Sequence, residues 1–305
     1  MTSFVGPDSR LRRTVRSVPV LGPLLQSAVD GYADLKDRRI PTARDTTAIA
    51  VGRSFSAGGR KLLLVPYRAE RVDLPPPLVA GDHRFDVVQD LVEFTSLAPE
   101  TVHALIARRI ENFRTEWLQQ PATLRDDHWF YLSSHTYLFA NAVHFHDTPD
   151  VIEEISSLLS PGARVLDFGG GTGNLALALA ARGFRIEYRE LSALQRDFTR
   201  FRVQRHELQE HVSILDSWSA LPAESYDAVC AFDVMEHLPD LPRTVEQIAS
   251  ALVEGGLFID TPSFSVGIFN PMHHEDPGLE SLLHKHGLVL DRTFPAFRVW
   301  AKRTR

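Results

Sequence analysis

The sequence predicts an α/β protein built on a doubly wound, seven-stranded and mostly parallel sheet, which follows a mixed, mainly helical N-terminal region. Two observations support this fold class. After residue 160, short apolar runs alternate with stretches of helical length, which is the pattern of parallel strands that are each followed by a covering helix. At the start of that alternation, a short apolar strand runs into four glycines within five positions and then into an Ala-rich helix. We therefore divide the chain into two regions, 1–160 and 161–305.

The elements of the C-terminal region can be placed in order. A helix is predicted over 151–159, and Pro161 and Gly162 mark the boundary that follows it. Strands are predicted at about 164–168, 184–190, 212–215, 226–232, 256–261, 287–293 and 297–302. The last two are joined by a tight turn, as in a hairpin, so we expect an antiparallel pair at the end of a parallel sheet.

The N-terminal region has a less regular pattern. We expect an amphipathic helix over 21–37. Apolar β-type runs predict a small sheet at 47–51, 61–66 and 85–88. From Ala98 to Trp117, apolar residues that include Ile110 recur at helical spacing, which predicts one long helix with a buried stripe. An aromatic segment at 129–139 follows this helix.

Charge and composition exclude several classes of protein. The chain has 305 residues, 44% of them hydrophobic, and a net charge of −6. The excess of acids lies in the C-terminal region, where 151–305 carry 15 Lys and Arg against 21 Asp and Glu. An acidic surface is repelled by a phosphate backbone, so we expect a small-molecule partner and no nucleic acid.

The cysteine count and the hydropathy pattern indicate the cellular compartment. The single cysteine, Cys230, lies in an apolar run and excludes an internal disulfide framework or a multi-cysteine metal site. No apolar run reaches the roughly 18–20 residues that a membrane span requires. A short apolar stretch near the N-terminus imitates a secretory signal, but Pro19 and Pro23 interrupt it and no small-residue cleavage site follows. We expect a cytoplasmic protein without a membrane partner. The oligomeric state stays open, and a homodimer is compatible with the sequence.

The glycine-rich turn carries the chemistry of a nucleotide cofactor. Its pattern is Asp167-x-Gly169-x-Gly171-x-Gly173. Glycines allow backbone dihedrals that other residues disfavour, and they let a ligand lie against bare main chain. The acid before the first glycine would repel a pyrophosphate, but it would attract a cationic amino acid or a sulfonium. The segment resembles motif I of the class I S-adenosylmethionine (SAM) methyltransferases. The resemblance implies a Rossmann-like sheet, a SAM cofactor and a methyl-transfer enzyme.

The same resemblance implies further cofactor residues. Glu190 and Leu191 end the second strand, where this family usually places an acid that accepts both ribose hydroxyls. Glu187 is the competing acid, but by alternation it does not lie at the strand tip. Asp216 and Ser217 follow the third strand and resemble the position that meets the adenine amino group.

A second motif follows the fourth strand. Asp233, Glu236 and His237 resemble the Glu-His signature of the ubiquinone-biosynthesis O-methyltransferases and of the small-RNA 2′-O-methyltransferases. In the latter family, an acid-x-x-Glu-His set and a later histidine bind a divalent metal that holds the acceptor hydroxyls. Here the resemblance assigns the later histidine to His273. Asp233 departs from the pattern, since those families often have Glu there, and its shorter side chain could weaken or relocate the metal.

Three interpretations of this motif stay open. A divalent ion (Mg, Mn, Fe or Zn) between Asp233, Glu236, His237 and His273 would orient a hydroxyl and lower its pKa. Without a metal, His237 would be a general base whose tautomer Glu236 fixes. In a structural role, Asp233 and Glu236 would only contact the SAM amino group or cap the next helix.

The acceptor is the least determined part of the prediction. Region 1–160 would cover the substrate as a lid, with contacts from Tyr137, His144 and His146, and His274 would be an exposed or substrate-facing neighbour of His273. We predict O-methylation of a small metabolite. The alternative is a metal-free N- or C-methyltransferase with His237 as base. An RNA methyltransferase is disfavoured by the acidic cofactor region, and a non-catalytic SAM-binding module is disfavoured because the residues beyond the glycines are all present.

Overall fold

The computed structural model describes most of the chain after residue 84. The described ranges are 85–119, 130–132, 134–143, 148–215, 220–261, 263–264 and 273–303, with the backbone of four short strands before them. The predicted helix at 21–37 lies outside the described residues. In the part of the chain that is described, no helix combines the length and the apolar character needed to cross a membrane.

The four short strands lie near the N-terminus. They are β1 (Ile49–Ala50), β2 (Phe55–Ala57), β3 (Arg60–Leu62) and β4 (Arg68–Ala69). β1 pairs with β4 and β2 pairs with β3, both antiparallel. The predicted apolar runs at 47–51 and 61–66 therefore do contain strand residues.

A set of helices follows these strands. They are α1 (Val87–Thr95), α2 (Pro99–Ala107), α3 (Arg109–Gln119), α4 (Tyr137–Ala140) and α5 (Pro149–Leu158). We call the described residues between 85 and 143 the N-terminal layer. Leu91, Leu105 and Leu138 of this layer are buried in one apolar cluster with Phe198 from a later helix. The layer is thus packed onto the C-terminal region.

The central sheet has seven strands. The first five are β5 (Arg164–Phe168), β6 (Arg185–Arg189), β7 (Val212–Ile214), β8 (Tyr226–Phe232) and β9 (Leu252–Thr261), and the last two are β10 (Leu288–Thr293) and β11 (Arg298–Lys302). Their order is β10-β11-β9-β8-β5-β6-β7. β5 to β9 pair in parallel, whereas β11 is antiparallel to both β9 and β10. The predicted fold class, including the antiparallel terminal pair, is confirmed.

Helices cover both faces of this sheet. They are α6 (Asn174–Ala180), α7 (Ala193–Arg205), α8 (Leu241–Ala251) and α9 (Leu279–Lys285). Val165 points into the cluster that contains α5 and α6, and its neighbour Leu166 points into the cluster that contains α8 and α9. Because α5 packs on the sheet although it precedes residue 160, the division of the chain at 160 stays a prediction.

Two predictions for the N-terminal layer were wrong. The run at 85–88 begins a helix instead of a strand, because the Asp86 carboxylate accepts hydrogen bonds from the Val88 and Gln89 amides, both at 3.0 Å, and caps α1. The single long helix is two helices, α2 and α3, that are separated at Arg108. Because of that break, Ile110 does not lie on the buried face of either helix, and it is 52% exposed.

Candidate functional site

The glycine loop, residues 169–173, joins β5 to α6. Gly169, Gly171 and Gly173 have φ angles of 75°, 54° and 76°, in the left-handed region that favours glycine. Gly170 is constrained by space instead, since a Cβ there would lie 2.4 Å from Asp167 Oδ2. The loop can therefore turn over the end of β5 only because its four glycines lack side chains.

An open cavity lies against this loop. Its floor combines the Asp167 carboxylate with the main chain of the loop, and Asp233 lies at its side. The residues that complete its wall are Tyr137, Asn141, Thr172, Leu175 and Phe232. Asp167 is 4% exposed, so its charge is directed into the cavity and not into bulk solvent. A bare main-chain surface beside a buried carboxylate fits the amino-acid part of SAM.

Glu190 lies at the end of β6 on the other side of the loop. Its Oε2 accepts a hydrogen bond from the Gly171 amide at 3.0 Å, and its Oε1 accepts one from the Ser192 amide at 2.8 Å. Burial raises the pKa of Glu190, while these backbone hydrogen bonds oppose the rise. Each carboxylate oxygen keeps a second lone pair, so both can still accept a ribose hydroxyl.

The competing acid lies elsewhere. Glu187 pairs with Arg164 and accepts a hydrogen bond from the Tyr226 hydroxyl at 2.5 Å, away from the glycine loop. Leu191 lines a second groove beside Glu190. Asp216 and Ser217 lie outside the described residues, and so do His144 and His146. Their assignments stay predictions.

Three side chains of the predicted metal set come together. Ligand atoms of Glu236, His237 and His273 all lie within 4.8 Å of one another, and we call these three residues the donor cluster. Glu236 and His237 come from a 3₁₀ turn, Met235–His237, directly after β8. The rings of His237 and His273 are edge to face with centroids 4.6 Å apart. The loop after β9 thus returns to the end of β8.

Asp233 is not part of this cluster, contrary to the sequence prediction. Its φ is 48°, which turns the chain away from the strand direction. Its amide donates to Thr261 Oγ1 at 3.0 Å, and its Oδ1 accepts a hydrogen bond from that hydroxyl at 3.3 Å. The carboxylate therefore lies between β8 and β9 and lines the cavity at the glycine loop.

The donor cluster holds polar atoms that the described residues do not satisfy. Glu236 Oε1 accepts from the Ser263 amide at 3.3 Å, but the buried Glu236 Oε2 and His273 Nδ1 have no hydrogen-bond partner among the described residues. Burial, with a smaller contribution from the charge of Asp233, raises the pKa of Glu236 to about 7. Burial lowers the pKa of His273. Two imidazoles beside an unsatisfied carboxylate oxygen fit a divalent cation.

Tyr131 is a site residue that the sequence did not single out. Its hydroxyl lies 3.0 Å from His237 Nδ1, and the two rings meet edge to face at 5.1 Å. Tyr131 also packs against Tyr137, with ring centroids 4.8 Å apart. The aromatic segment at 129–139 pointed to this wall, but nothing local distinguishes Tyr131 from its neighbours. His274 contacts the cluster through its backbone, whose amide donates to the Glu236 carbonyl at 2.8 Å.

An open groove lies beside the cofactor cavity. It shares Tyr137, Gly169 and Asp233 with the cofactor cavity and extends past His237. Its outer wall is the start of α8, with Arg243, Thr244 and Gln247. The cofactor cavity and the groove are therefore neighbours with common walls, and His237 brings the donor cluster to the groove.

Burial and ionisation distinguish the roles that Tyr137 can fill. Burial raises its pKa, and the nearby Glu190 charge adds to the rise. The side chain is therefore a neutral hydrogen-bonding and packing group and not an anionic base. Tyr137 lines both the cavity and the groove, and its contact with an acceptor stays a prediction.

Comparisons with known proteins identify the family of this chain. The family model described as "Methyltransferase domain" matches residues 144–297. The ubiquinone biosynthesis O-methyltransferase of Xanthomonas axonopodis pv. citri is 33% identical over 121 residues, which cover 37% of this chain and 49% of that protein. The protein of the same name from Chelativorans sp. is 28% identical over 163 residues, which cover 52% and 61%. The chain spans about half the length of the first of these relatives.

Solved structures with a similar fold include two methyltransferases from Burkholderia thailandensis. An O-methyltransferase family protein aligns with a TM-score of 0.48 and 15% identity, over 70% of this chain and 76% of that one. A 1,6-didemethyltoxoflavin-N1-methyltransferase aligns with a TM-score of 0.42 and 16% identity, over 51% of this chain and 78% of that one.

Proposed function

The chain belongs to the class I SAM-dependent methyltransferase family, and from that premise we propose that it methylates a hydroxyl of a small-molecule acceptor with the help of a divalent cation. The cation would be held by Glu236, His237 and His273. The observation that carries this proposal is the donor cluster itself, whose ligand atoms lie within 4.8 Å of one another. His237 of the cluster lines a groove that shares Tyr137, Gly169 and Asp233 with the cofactor cavity.

The cofactor end of the site has a defined donor set. SAM, when bound, supplies an electrophilic methyl group on a sulfonium. Asp167 and Asp233 offer carboxylates to the cationic amino group, and the main chain of the glycine loop gives the amino-acid part a close-fitting floor. Glu190 offers two oxygens to a vicinal diol. The adenine contacts of Asp216 and Ser217 are part of the proposal.

The acceptor end must position a hydroxyl and remove its proton. A divalent cation, when bound, orients the hydroxyl and lowers its pKa. Glu236 and His273 offer it the buried oxygen and nitrogen that lack other partners among the described residues. The Tyr131 hydroxyl lies 3.0 Å from His237 Nδ1 and 3.5 Å from Nε2. A hydrogen bond of this kind fixes the orientation of an imidazole ligand.

The groove supports a flat, partly apolar acceptor. Tyr131 and Tyr137 form an aromatic wall next to His237, and such surfaces suit stacking against a ring. The name of the Xanthomonas and Chelativorans relatives adds support for oxygen as the methylated atom. Three acids and two arginines line the groove: Glu190, Asp233, Asp240, Arg189 and Arg243. The lining has no excess of basic charge, which disfavours a nucleic-acid acceptor. An aromatic diol meets all of these conditions.

A second candidate is metal-free transfer with His237 as general base. The contact with Tyr131 favours it, because a hydrogen bond to one ring nitrogen fixes the tautomer that a base needs. In this mechanism Glu236 would be a buried neutral or anionic neighbour, and nitrogen or carbon acceptors would become possible.

Metal binding separates the two candidates. We would titrate Mn²⁺ into chelator-treated protein by calorimetry, with and without SAM. The proposal predicts stoichiometric binding that His273→Ala weakens at least about tenfold. His274→Ala is a matched control, because it removes a neighbouring imidazole that is not one of the three clustered ligands. Absence of Mn²⁺ binding, or equal affinities in both variants, would contradict the metal site.

Turnover tests the reaction. With catechol as the acceptor probe, we expect formation of S-adenosylhomocysteine that needs Mn²⁺ and is lost in His237→Ala. Tyr131→Phe should lower kcat by roughly 10–100-fold, the usual cost of removing a partner that orients a metal ligand, while the affinity for SAM stays unchanged. Full turnover in chelator would instead support His237 as base.

A further inference from the structure

A buried arginine of α7 hydrogen-bonds to the glycine loop and to the first residue of α6. Arg202 is 1% exposed. Its Nη1 donates to the Thr172 carbonyl at 2.8 Å and to Asn174 Oδ1 at 2.6 Å, and its Nε donates to Asp90 Oδ2 at 2.8 Å. One guanidinium therefore joins the cofactor loop to α1 of the N-terminal layer. Its planar, forked donors suit this task, and a lysine could not make all three contacts.

Asp90 is the partner on the N-terminal layer. It is also 1% exposed, and it lies on the face of α1 that packs against α7. Besides Arg202, its carboxylate contacts Arg205 Nε at 3.0 Å and His206 Nε2 at 3.0 Å. A buried carboxylate with such partners cannot be pulled away from them without leaving uncompensated charge. Undocking α1 would therefore also disturb Arg202.

Two further hydrogen bonds tie the same loop to the same layer. The Thr172 hydroxyl donates to the Asn141 carbonyl at 2.9 Å, and Asn174 Nδ2 donates to the Ala142 carbonyl at 3.2 Å. Asn141 in addition lines the cofactor cavity. Thr172 and Asn174 are thus hydrogen-bonded to the N-terminal layer, while the glycine loop lines the cofactor cavity.

We propose that Arg202 and Asp90 are positioning residues for the cofactor, which couple the docking of α1 to the binding-competent shape of the glycine loop. Neither residue lines the cavity, so both act through Thr172 and Asn174. Coupling of this kind is reciprocal. If docking of the N-terminal layer increases the affinity for SAM, bound SAM stabilises the docked layer by the same free energy. The inference rests on SAM binding at the glycine loop, and it is independent of the acceptor and of any metal.

Amide hydrogen exchange on the wild-type chain tests the coupling without a mutation. Saturating SAM should slow exchange in α1 several-fold, a degree typical of coupled sites, although α1 does not line the cavity. The helix α9 packs on the opposite face of the sheet and is the internal control, with unchanged exchange. If SAM binds but α1 exchanges at its original rate, the coupling is refuted. If SAM does not bind at all, the cofactor assignment fails, and the inference fails with it.

Two variants test the residues. Asp90→Asn removes the charge that holds α1, and Arg202→Lys keeps a charge but loses the fork. We expect each to weaken SAM binding by about tenfold in calorimetry. Glu187→Gln is the matched control, since it also converts an arginine-paired carboxylate into an amide but lies away from the loop, and it should bind SAM with wild-type affinity. Wild-type SAM affinity in both folded variants would overturn the assignment.

Discussion

Replacing Glu236 by glutamine tests whether the donor cluster destabilises the protein when no cation is bound. The side chain is fully buried, and burial raises its pKa from 4.5 to about 7. A pKa difference of this size corresponds to about 3 kcal/mol. The free energy of unfolding is lower by this amount at a pH where the carboxyl is ionised in both the folded and the unfolded chain. Glutamine has the same shape and can still accept the hydrogen bond from Ser263, but it cannot ionise.

The sign of the effect follows from proton binding. Below pH 4.5 the carboxyl is protonated in both the folded and the unfolded chain, so it costs nothing. Between pH 4.5 and about 7 the unfolded chain releases the proton while the folded chain keeps it, and the free energy of unfolding falls as the pH rises. We therefore expect Glu236→Gln to match the wild type near pH 4.5 and to exceed its stability by about 2–3 kcal/mol at pH 8.

Urea unfolding in chelator at several pH values measures this difference. Glu187→Gln is the control, because it removes the ion pair with Arg164 and should not stabilise the protein at any pH. Added Mn²⁺ should reverse the order at pH 8, since a cation stabilises the wild-type carboxylate and has little to bind in the glutamine variant. A variant without an advantage at pH 8, or with an equal advantage at pH 4.5, would refute the reasoning.

Two further predictions concern the cofactor loop and the cysteine. Gly170→Ala should weaken SAM binding by more than about tenfold in a folded protein, because the added Cβ would lie 2.4 Å from Asp167 Oδ2; calorimetry with wild-type affinity would contradict this. Cys230 is fully buried and burial raises the pKa of its thiol, so iodoacetamide at pH 8 should label it only as the protein unfolds in urea. Immediate labelling of the folded protein, followed by mass spectrometry, would show that the thiol is accessible.

The central sheet could be predicted from sequence because buried parallel strands are apolar on both faces. Such strands read as short apolar runs between turns, and β5 and β8 begin and end at the predicted residues. β9 is longer than predicted and begins at Leu252. Glu254, Gly255 and Gly256 indicate a turn by composition, and the register with β8 does break there. The pairing passes from Tyr226 opposite Leu252 to Ala228 opposite Leu257.

The N-terminal layer was harder to predict because its signals are local and ambiguous. A four-residue apolar run has no distinguishable period, so 85–88 could be read as a strand although Asp86 caps a helix. The break at Arg108 has no glycine or proline to mark it. Contacts between residues that are far apart in sequence could not be predicted for a different reason. Tyr131 contacts His237 across 106 residues, and Arg202 contacts Asp90 across 112. No motif spacing encodes such pairs.

Asp233 explains how one short motif serves two sites. Motif spacing placed Asp233 with Glu236 and His237 as metal ligands, which assumes that all three point the same way. A φ of 48° is unfavourable for a residue with a side chain, by roughly 1–2 kcal/mol, and the hydrogen bonds with Thr261 hold it there. The kink sends the carboxylate of Asp233 to the cofactor cavity, while the 3₁₀ turn that follows sends Glu236 and His237 to the donor cluster. Under the proposed function, a single strand end therefore positions one carboxylate for the methyl donor and two side chains for the acceptor hydroxyl.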